Sequence, residues 1–86
     1  MTPEEAAQWM LDQANTSDGT LHQETAAAYL NEFNDERLAY WNDAGILCVS
    51  KIVLDIFRKI TPNYVFVRTG KFWRPREEFD RPGRQQ

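Results

Sequence analysis

The segment over residues 50–73 restricts the fold of this chain more than any other part of the sequence. Apolar residues recur at helical spacing over 51–60, which predicts an amphipathic helix with a wide apolar stripe. Ser50 is a good N-cap for this helix, and Pro62 ends it because proline also restricts the residue before it. The β-branched and aromatic pattern that follows predicts a hairpin over about 64–75. We therefore expect a helix and a hairpin in direct succession.

The apolar stripe of this helix and one face of the hairpin are expected to meet in the core. Since Phe57 lies within the stripe, its ring should be buried. A two-residue loop at Thr69-Gly70 would place Val65, Val67 and Phe72 on one face of the hairpin, and we expect that face to pack on the helix. The full stripe consists of Val49, Ile52, Val53, Ile56, Phe57 and Ile60.

The first half of the chain predicts two more helices. The first, over about 3–14, begins with the spacing of a capping box at Thr2 and Glu5. The second covers about 22–33 and carries apolar residues at helical spacing. Residues 38–49 are compatible with a hairpin or with a helix and a loop, and their Asn-Asp-x-Gly turn favours the hairpin.

Together these elements predict a small α+β domain with a winged-helix-like fold, in which three helices are followed by a C-terminal β-hairpin. The chain is too short for a second core, so we expect one domain over residues 1–76. The charged stretch 77–86 is expected to form a mobile tail. The lone Cys48 gives no reason to expect an intramolecular disulfide.

The segment from Ile46 through Arg76 resembles a family of small uncharacterised bacterial proteins. The residues that carry the resemblance are Ser50-Lys51-x-Val53-Leu54-x-x-Phe57, Tyr64-Val65-Phe66-Val67 and Phe72-Trp73-Arg74-Pro75-Arg76. It extends over residues 21–84 and implies a winged-helix-like fold and an association with mobile gene cassettes. It implies neither an activity nor any functional residue, since its motifs are structural in character.

The charges of the chain are strongly polarised. Residues 1–50 hold one basic side chain against nine acidic ones, for a net charge of −8. Residues 51–86 hold nine basic side chains against four acidic ones, for a net charge of +5, so the total of −3 conceals the asymmetry. This polarity indicates an anionic partner for the second half, or contact between the acidic and basic halves of two copies.

Six basic residues are the candidate nucleic-acid contacts. Arg68 and Lys71 should face each other across the hairpin turn, where a phosphate would relieve their repulsion. Alternatively, a charged tip only prevents edge-to-edge aggregation. On the third helix, Asp55 lies among the cations and opposes an anionic ligand, so this face is also explained as a solvated surface. The candidates are Lys51, Arg58, Arg68, Lys71, Arg74 and Arg76.

Large aromatic side chains are numerous for such a small core. We expect each of them to be a core residue, with base stacking or anchoring of a protein interface as the alternative. Trp9 is the exception because it lies beside the apolar stripe of the first helix. The set comprises Trp9, Trp41, Trp73, Tyr40, Tyr64 and Phe79.

No catalytic motif is present in the sequence. His22 and Cys48 are single residues of their types, without a nucleophile–base pattern, a metal-ligand spacing or a cofactor fingerprint. We expect His22 at the surface and Cys48 as a small buried apolar residue. The acidic N-terminus and the short apolar runs predict a cytoplasmic protein without a signal peptide or membrane segment.

The expected function is that of a non-catalytic binding module, without a cofactor, metal or small-molecule substrate. Its partner would be nucleic acid, bound through the basic C-terminal hairpin and helix. The alternative is a protein-interaction or self-associating module, such as a homodimer, in which the acidic N-terminal half meets a basic surface.

Overall fold

A computed structural model of the chain describes residues 1–16 and 19–77, and this part of the chain forms three helices and two antiparallel sheets. Strands β1, β5 and β4 form one sheet in that order, and β2 and β3 form a separate hairpin. The elements are α1 (Pro3–Thr16), β1 (Leu21–His22), α2 (Gln23–Asn31), β2 (Ala39–Trp41), β3 (Leu47–Val49), α3 (Lys51–Ile60), β4 (Tyr64–Val67) and β5 (Phe72–Pro75). The predicted α+β class is confirmed.

Two features accompany the three helices and the C-terminal hairpin, one not predicted from the sequence and one favoured by it. Strand β1 adds a third strand to the hairpin through the pairs Leu21–Trp73 and His22–Phe72. The hairpin β2–β3 lies between α2 and α3, as the turn signal within residues 38–49 favours. The expected tail lies outside the described residues apart from Glu77.

Helix α1 begins at the predicted capping box. The Thr2 amide donates to the Glu5 carboxylate at 2.8 Å, and the Glu5 amide donates to Thr2 Oγ1 at 3.1 Å. Two of the amides that a helix start leaves unpaired are thereby satisfied. The hydrogen bond from the Thr2 backbone, followed by that from its side chain, lowers the pKa of Glu5.

The core forms where α1 packs against α3. Ala6 and Ala7 are fully buried, and their small side chains allow the two helices to approach closely. Phe57, which is 1% exposed, confirms the prediction that this ring is a core residue. The predicted stripe is wider than the buried face, however, because Ile52 and Ile60 are exposed.

The hairpin β4–β5 has the predicted register but packs on α3 through its other face. Val67 pairs with Phe72, and Phe66 pairs with Trp73. The expectation that Val65, Val67 and Phe72 face α3 is wrong, because Trp73 makes the contact with Phe57 at 5.4 Å. Since side chains alternate along a strand, Phe66 and Trp73 share the face towards Phe57, and Val65 lies on the other face although it is fully buried.

The β2–β3 hairpin is fixed at its turn and at its junction with α3. Asn42 Oδ1 accepts hydrogen bonds from the amides of Ala44 and Ile46, both at 2.9 Å. Gly45 adopts a φ of 77°, which glycine tolerates without strain. At the other end, Ser50 Oγ accepts from the Val53 amide at 3.3 Å and donates to the Arg37 carbonyl oxygen. Ser50 is therefore the N-cap of α3, as predicted.

Candidate nucleic-acid interface

A recess of about 370 Å³ lies between α3 and the β4–β5 hairpin. Three aromatic rings contribute its apolar lining, with Trp73 5.4 Å from Phe57 and 5.0 Å from Phe66. Among the described residues, the charged side chains of this recess come from α3. The residues that line it are Gln23, Lys51, Leu54, Asp55, Phe57, Arg58, Phe66 and Trp73.

The charged side chains of this recess are exposed and only weakly paired. Lys51 Nζ lies 3.7 Å from Asp55 Oδ2, and exposed fractions of 90% and 52% leave both side chains largely in solvent. Such an exposed pair contributes about 0.3–0.5 kcal/mol, so a competing phosphate would displace it at little cost. Arg58 has no ion pair in the described part of the chain and lies in the last turn of α3, where the helix dipole favours a cation.

The turn over residues 68–71 carries two more exposed cations. Arg68 and Lys71 lie at its ends, and neither makes an ion pair within residues 1–16 and 19–77. Lys71 has a φ of 52°, and its carbonyl oxygen accepts from the Gln23 amide at 2.9 Å, which ties the turn to the start of α2. A side chain at Gly70 would collide with the Phe72 ring, so any other residue there would force that ring to shift.

A second recess, of about 470 Å³, lies between this turn, the start of α2 and the end of the β2–β3 hairpin. Gln23 lines both recesses, so they lie next to each other. Trp41 is 63% exposed at this recess. The lining residues are His22, Gln23, Glu24, Ala28, Trp41, Ile46, Leu47, Thr69, Gly70 and Lys71.

Four of the six candidate contacts lie around these recesses, and two lie elsewhere. Lys51 and Arg58 line the first recess, Lys71 lines the second, and Arg68 is in the turn beside it.

Arg74 and Arg76 are not brought together with the other candidates. Arg74 pairs with Val65 on the face of the hairpin opposite Trp73, and its Nη1 donates to the Pro75 carbonyl oxygen at 3.1 Å. Arg76 follows β5 at the end of the hairpin far from the turn, where its amide donates to the Asn63 carbonyl oxygen at 2.6 Å. The two arginines therefore belong to a different surface.

The sequence did not predict that Trp41 is exposed or that Gln23 lines both recesses. The expectation that Trp41 is a core residue is wrong, and its neighbour Tyr40 is also exposed. Trp41 directly precedes the Asn42 turn, and this position at the end of a short hairpin could have indicated that its side chain is exposed. By contrast, Trp73 is buried as expected, while Phe79 lies outside the described residues.

The two residues singled out for possible chemistry have different surroundings. His22 is exposed, as predicted, and its ring lies 5.3 Å from that of Phe72. Cys48 is half-buried rather than fully buried, and its Sγ accepts from Asn42 Nδ2 at 3.5 Å. Within the described residues there is no group of three His, Cys, Asp or Glu side chains suited to a metal ion. None of the helices found there is long and apolar enough to cross a membrane.

The chain belongs to DUF6953, a family of unknown function, which matches residues 2–75. No curated protein and no solved structure matches the chain.

Proposed function

We propose that this member of the DUF6953 family is a non-catalytic nucleic-acid-binding module that holds the phosphate backbone with α3 and the β4–β5 turn. The observation that carries the proposal is the set of four exposed cations around two adjacent recesses. Arg58, Arg68 and Lys71 have no ion pair within the described residues, and Lys51 has only a weak one. Cations free of internal partners are available to neutralise phosphates.

We also propose that the fold is winged-helix-like, with α3 as the helix that precedes the wing and β4–β5 as the wing. The direct succession of α3 and the hairpin supports this, as does the pairing of β1 with β5. The β2–β3 hairpin would then be an insertion between the second and third helices. In such a domain the third helix and the wing contact nucleic acid together.

The charge of the whole chain sets the conditions for binding. Because the net charge is −3, long-range attraction is weak and contact depends on the local cluster of cations. Four phosphate contacts predict a slope of log affinity against log salt of about −3.6 for duplex DNA or about −2.8 for a single strand. Binding should therefore be sought at low salt.

The test is a titration of two matched double variants with mixed-sequence DNA at several salt concentrations. R68Q/K71Q removes two charges from the turn, and R74Q/R76Q removes two charges from the other surface. We expect the first variant to weaken binding and to reduce the salt slope by about 1.4 to 1.8, from two lost phosphate contacts. The second should bind like the parent protein. Circular dichroism melts establish that both are folded.

Two outcomes would overturn the proposal. If both variants lose affinity equally, overall charge rather than this surface governs binding. If the parent protein binds neither DNA nor RNA at low salt, the cations have another role.

A protein-interaction or self-associating module is the second candidate function. It is favoured by the exposure of Ile52 and Ile60 on α3, the same helix that carries Lys51 and Arg58. Apolar and basic side chains together would suit the acidic half of another copy. Sedimentation at low and high salt tests it: a dimer that dissociates with salt supports this candidate, and a monomer under both conditions argues against self-association.

A further inference from the structure

We infer that the partner is single-stranded nucleic acid and that one of its unpaired bases stacks on Trp41 in the second recess. The inference rests on the proposed function and names the class of nucleic acid. The Trp41 indole is 63% exposed, the largest exposed fraction of any large apolar side chain among the described residues.

Trp41 differs from the other two tryptophans in having a free ring. Trp9 is stacked on Tyr29, with ring centroids 4.1 Å apart and planes 10° apart. Trp73 is buried against Phe57 and Phe66. Trp41 makes no contact with another aromatic ring in the described part of the chain. Its π-face is therefore available to a planar ligand.

The hairpin holds this ring in a defined position. Trp41 pairs with Leu47, which is half-buried against the core, and the next residue is the Asn42 that closes the turn. A side chain on a short, hydrogen-bonded hairpin loses little conformational freedom when a ligand binds. A flexible loop would not give the same advantage.

The other lining residues of the recess suit a nucleotide better than an apolar ligand. Lys71, a cation without an ion pair among the described residues, lines the same recess and is available to a phosphate. The volume of about 470 Å³ lies within the range of about 300–1,000 Å³ found for small-molecule sites. An exposed aromatic ring beside a cation is the combination that single-strand binders use for bases and backbone.

Stacking also explains why the strand should be single. A base in a duplex has both faces covered by its neighbours, whereas an unpaired base can place a face on the indole. Glu24 lines the recess as well and opposes the charge of Lys71. Stacking rather than phosphate neutralisation should therefore supply most of the binding energy at this recess.

The experiment compares Trp41→Ala, Trp41→Leu and Trp41→Phe with the parent protein, using a mixed-sequence single-stranded DNA and its duplex. We expect Trp41→Ala to weaken single-strand binding by about 5- to 150-fold, as loss of one stacked base does elsewhere. Trp41→Leu should be similarly weak, and Trp41→Phe should recover part of the affinity. Duplex binding should change less than twofold. Tryptophan fluorescence should be quenched by the single strand in the parent protein and not in Trp41→Phe.

The outcomes separate this inference from the function on which it rests. If single-strand affinity is unchanged in Trp41→Ala, or if Trp41→Leu binds like the parent, the stacking inference is wrong although nucleic-acid binding stands. Absence of binding to any nucleic acid overturns both. If Trp41→Ala leaves nucleic-acid binding intact but dissociates a dimer seen by sedimentation, the recess is a protein contact instead.

Discussion

The Trp73 indole meets the Phe57 ring edge to face, with centroids 5.4 Å apart and an interplanar angle of 69°. This contact joins β5 to α3, the two elements that form the first recess. Trp73 also pairs with Leu21 of β1 and packs against Phe66 of β4, so this one residue links β5 to α3, β1 and β4. The geometry of the proposed interface is therefore fixed by the core.

Replacement of Phe57 by alanine should remove a large part of the stability of the protein. The ring is 1% exposed, so its removal leaves a cavity that costs about 3–5 kcal/mol. A domain of this size has a total stability of about 5–10 kcal/mol, and each lost kcal/mol lowers its Tm by about 4–8 °C. Urea denaturation and thermal melts measure the loss.

The matched control for this substitution is Ile52→Ala, on the same helix. Since Ile52 is 52% exposed, its truncation should change the free energy of unfolding by about 0.5 kcal/mol or less. A Phe57→Ala protein that melts within a few degrees of the parent would show that the α3–hairpin contact contributes little.

Much of the fold could be predicted because its signals are local. The caps at Thr2 and Ser50 and the pairing of Val67 with Phe72 each depend on residues close together in the chain. Strand β1 has only two residues, and it becomes a strand by pairing with β5 more than forty residues away. The strand propensity of two residues does not predict a pairing over such a distance in the chain.

The candidate site was less predictable than the fold for the same reason. Which side of the hairpin faces α3 depends on the fit of Trp73 against Phe57, and both sides of that hairpin are apolar enough for the core. Because Arg74 follows Trp73 directly in β5, its side chain lies on the opposite side of the hairpin from α3. Trp41 and Lys71 line the same recess because the β2–β3 hairpin packs on α2 and the Lys71 carbonyl oxygen accepts from the Gln23 amide at the start of α2. This arrangement has no signature in sequence spacing.

Acid titration should reveal the contact between Asp35 and Arg37. The hydrogen bond from the Arg37 side chain, Nη2 to Oδ2 at 2.7 Å, and then that from its amide lower the pKa of Asp35 from 3.8 to about 2. Because the folded value is depressed, the stabilisation is present above about pH 4 and is lost as the pH falls towards 2.

We expect Arg37→Gln to raise the pKa of Asp35 towards its ordinary value and to flatten the dependence of stability on pH in this range. Carboxyl chemical shifts followed by NMR give the pKa, and melts at pH 5, 3 and 2 give the stability. Glu36→Gln is the control, since it removes a neighbouring charge but leaves the Asp35–Arg37 contact. An unchanged Asp35 titration in Arg37→Gln would show that this hydrogen bond does not determine the pKa.

Neutralising Asp55 should strengthen the proposed binding of nucleic acid. Asp55 is the acidic residue that lines the first recess, and its carboxylate lies 3.7 Å from the Lys51 ammonium. Asp55→Asn removes a charge that repels phosphate and frees Lys51 at the same time. Exposed charge interactions of about 0.5–1 kcal/mol correspond to a gain in affinity of about two- to fivefold.

Glu32→Gln, an equal charge change just after α2, should leave the affinity unchanged. Equal gains in both variants would indicate a response to net charge alone, and no gain in Asp55→Asn would show that nucleic acid does not approach this face of α3.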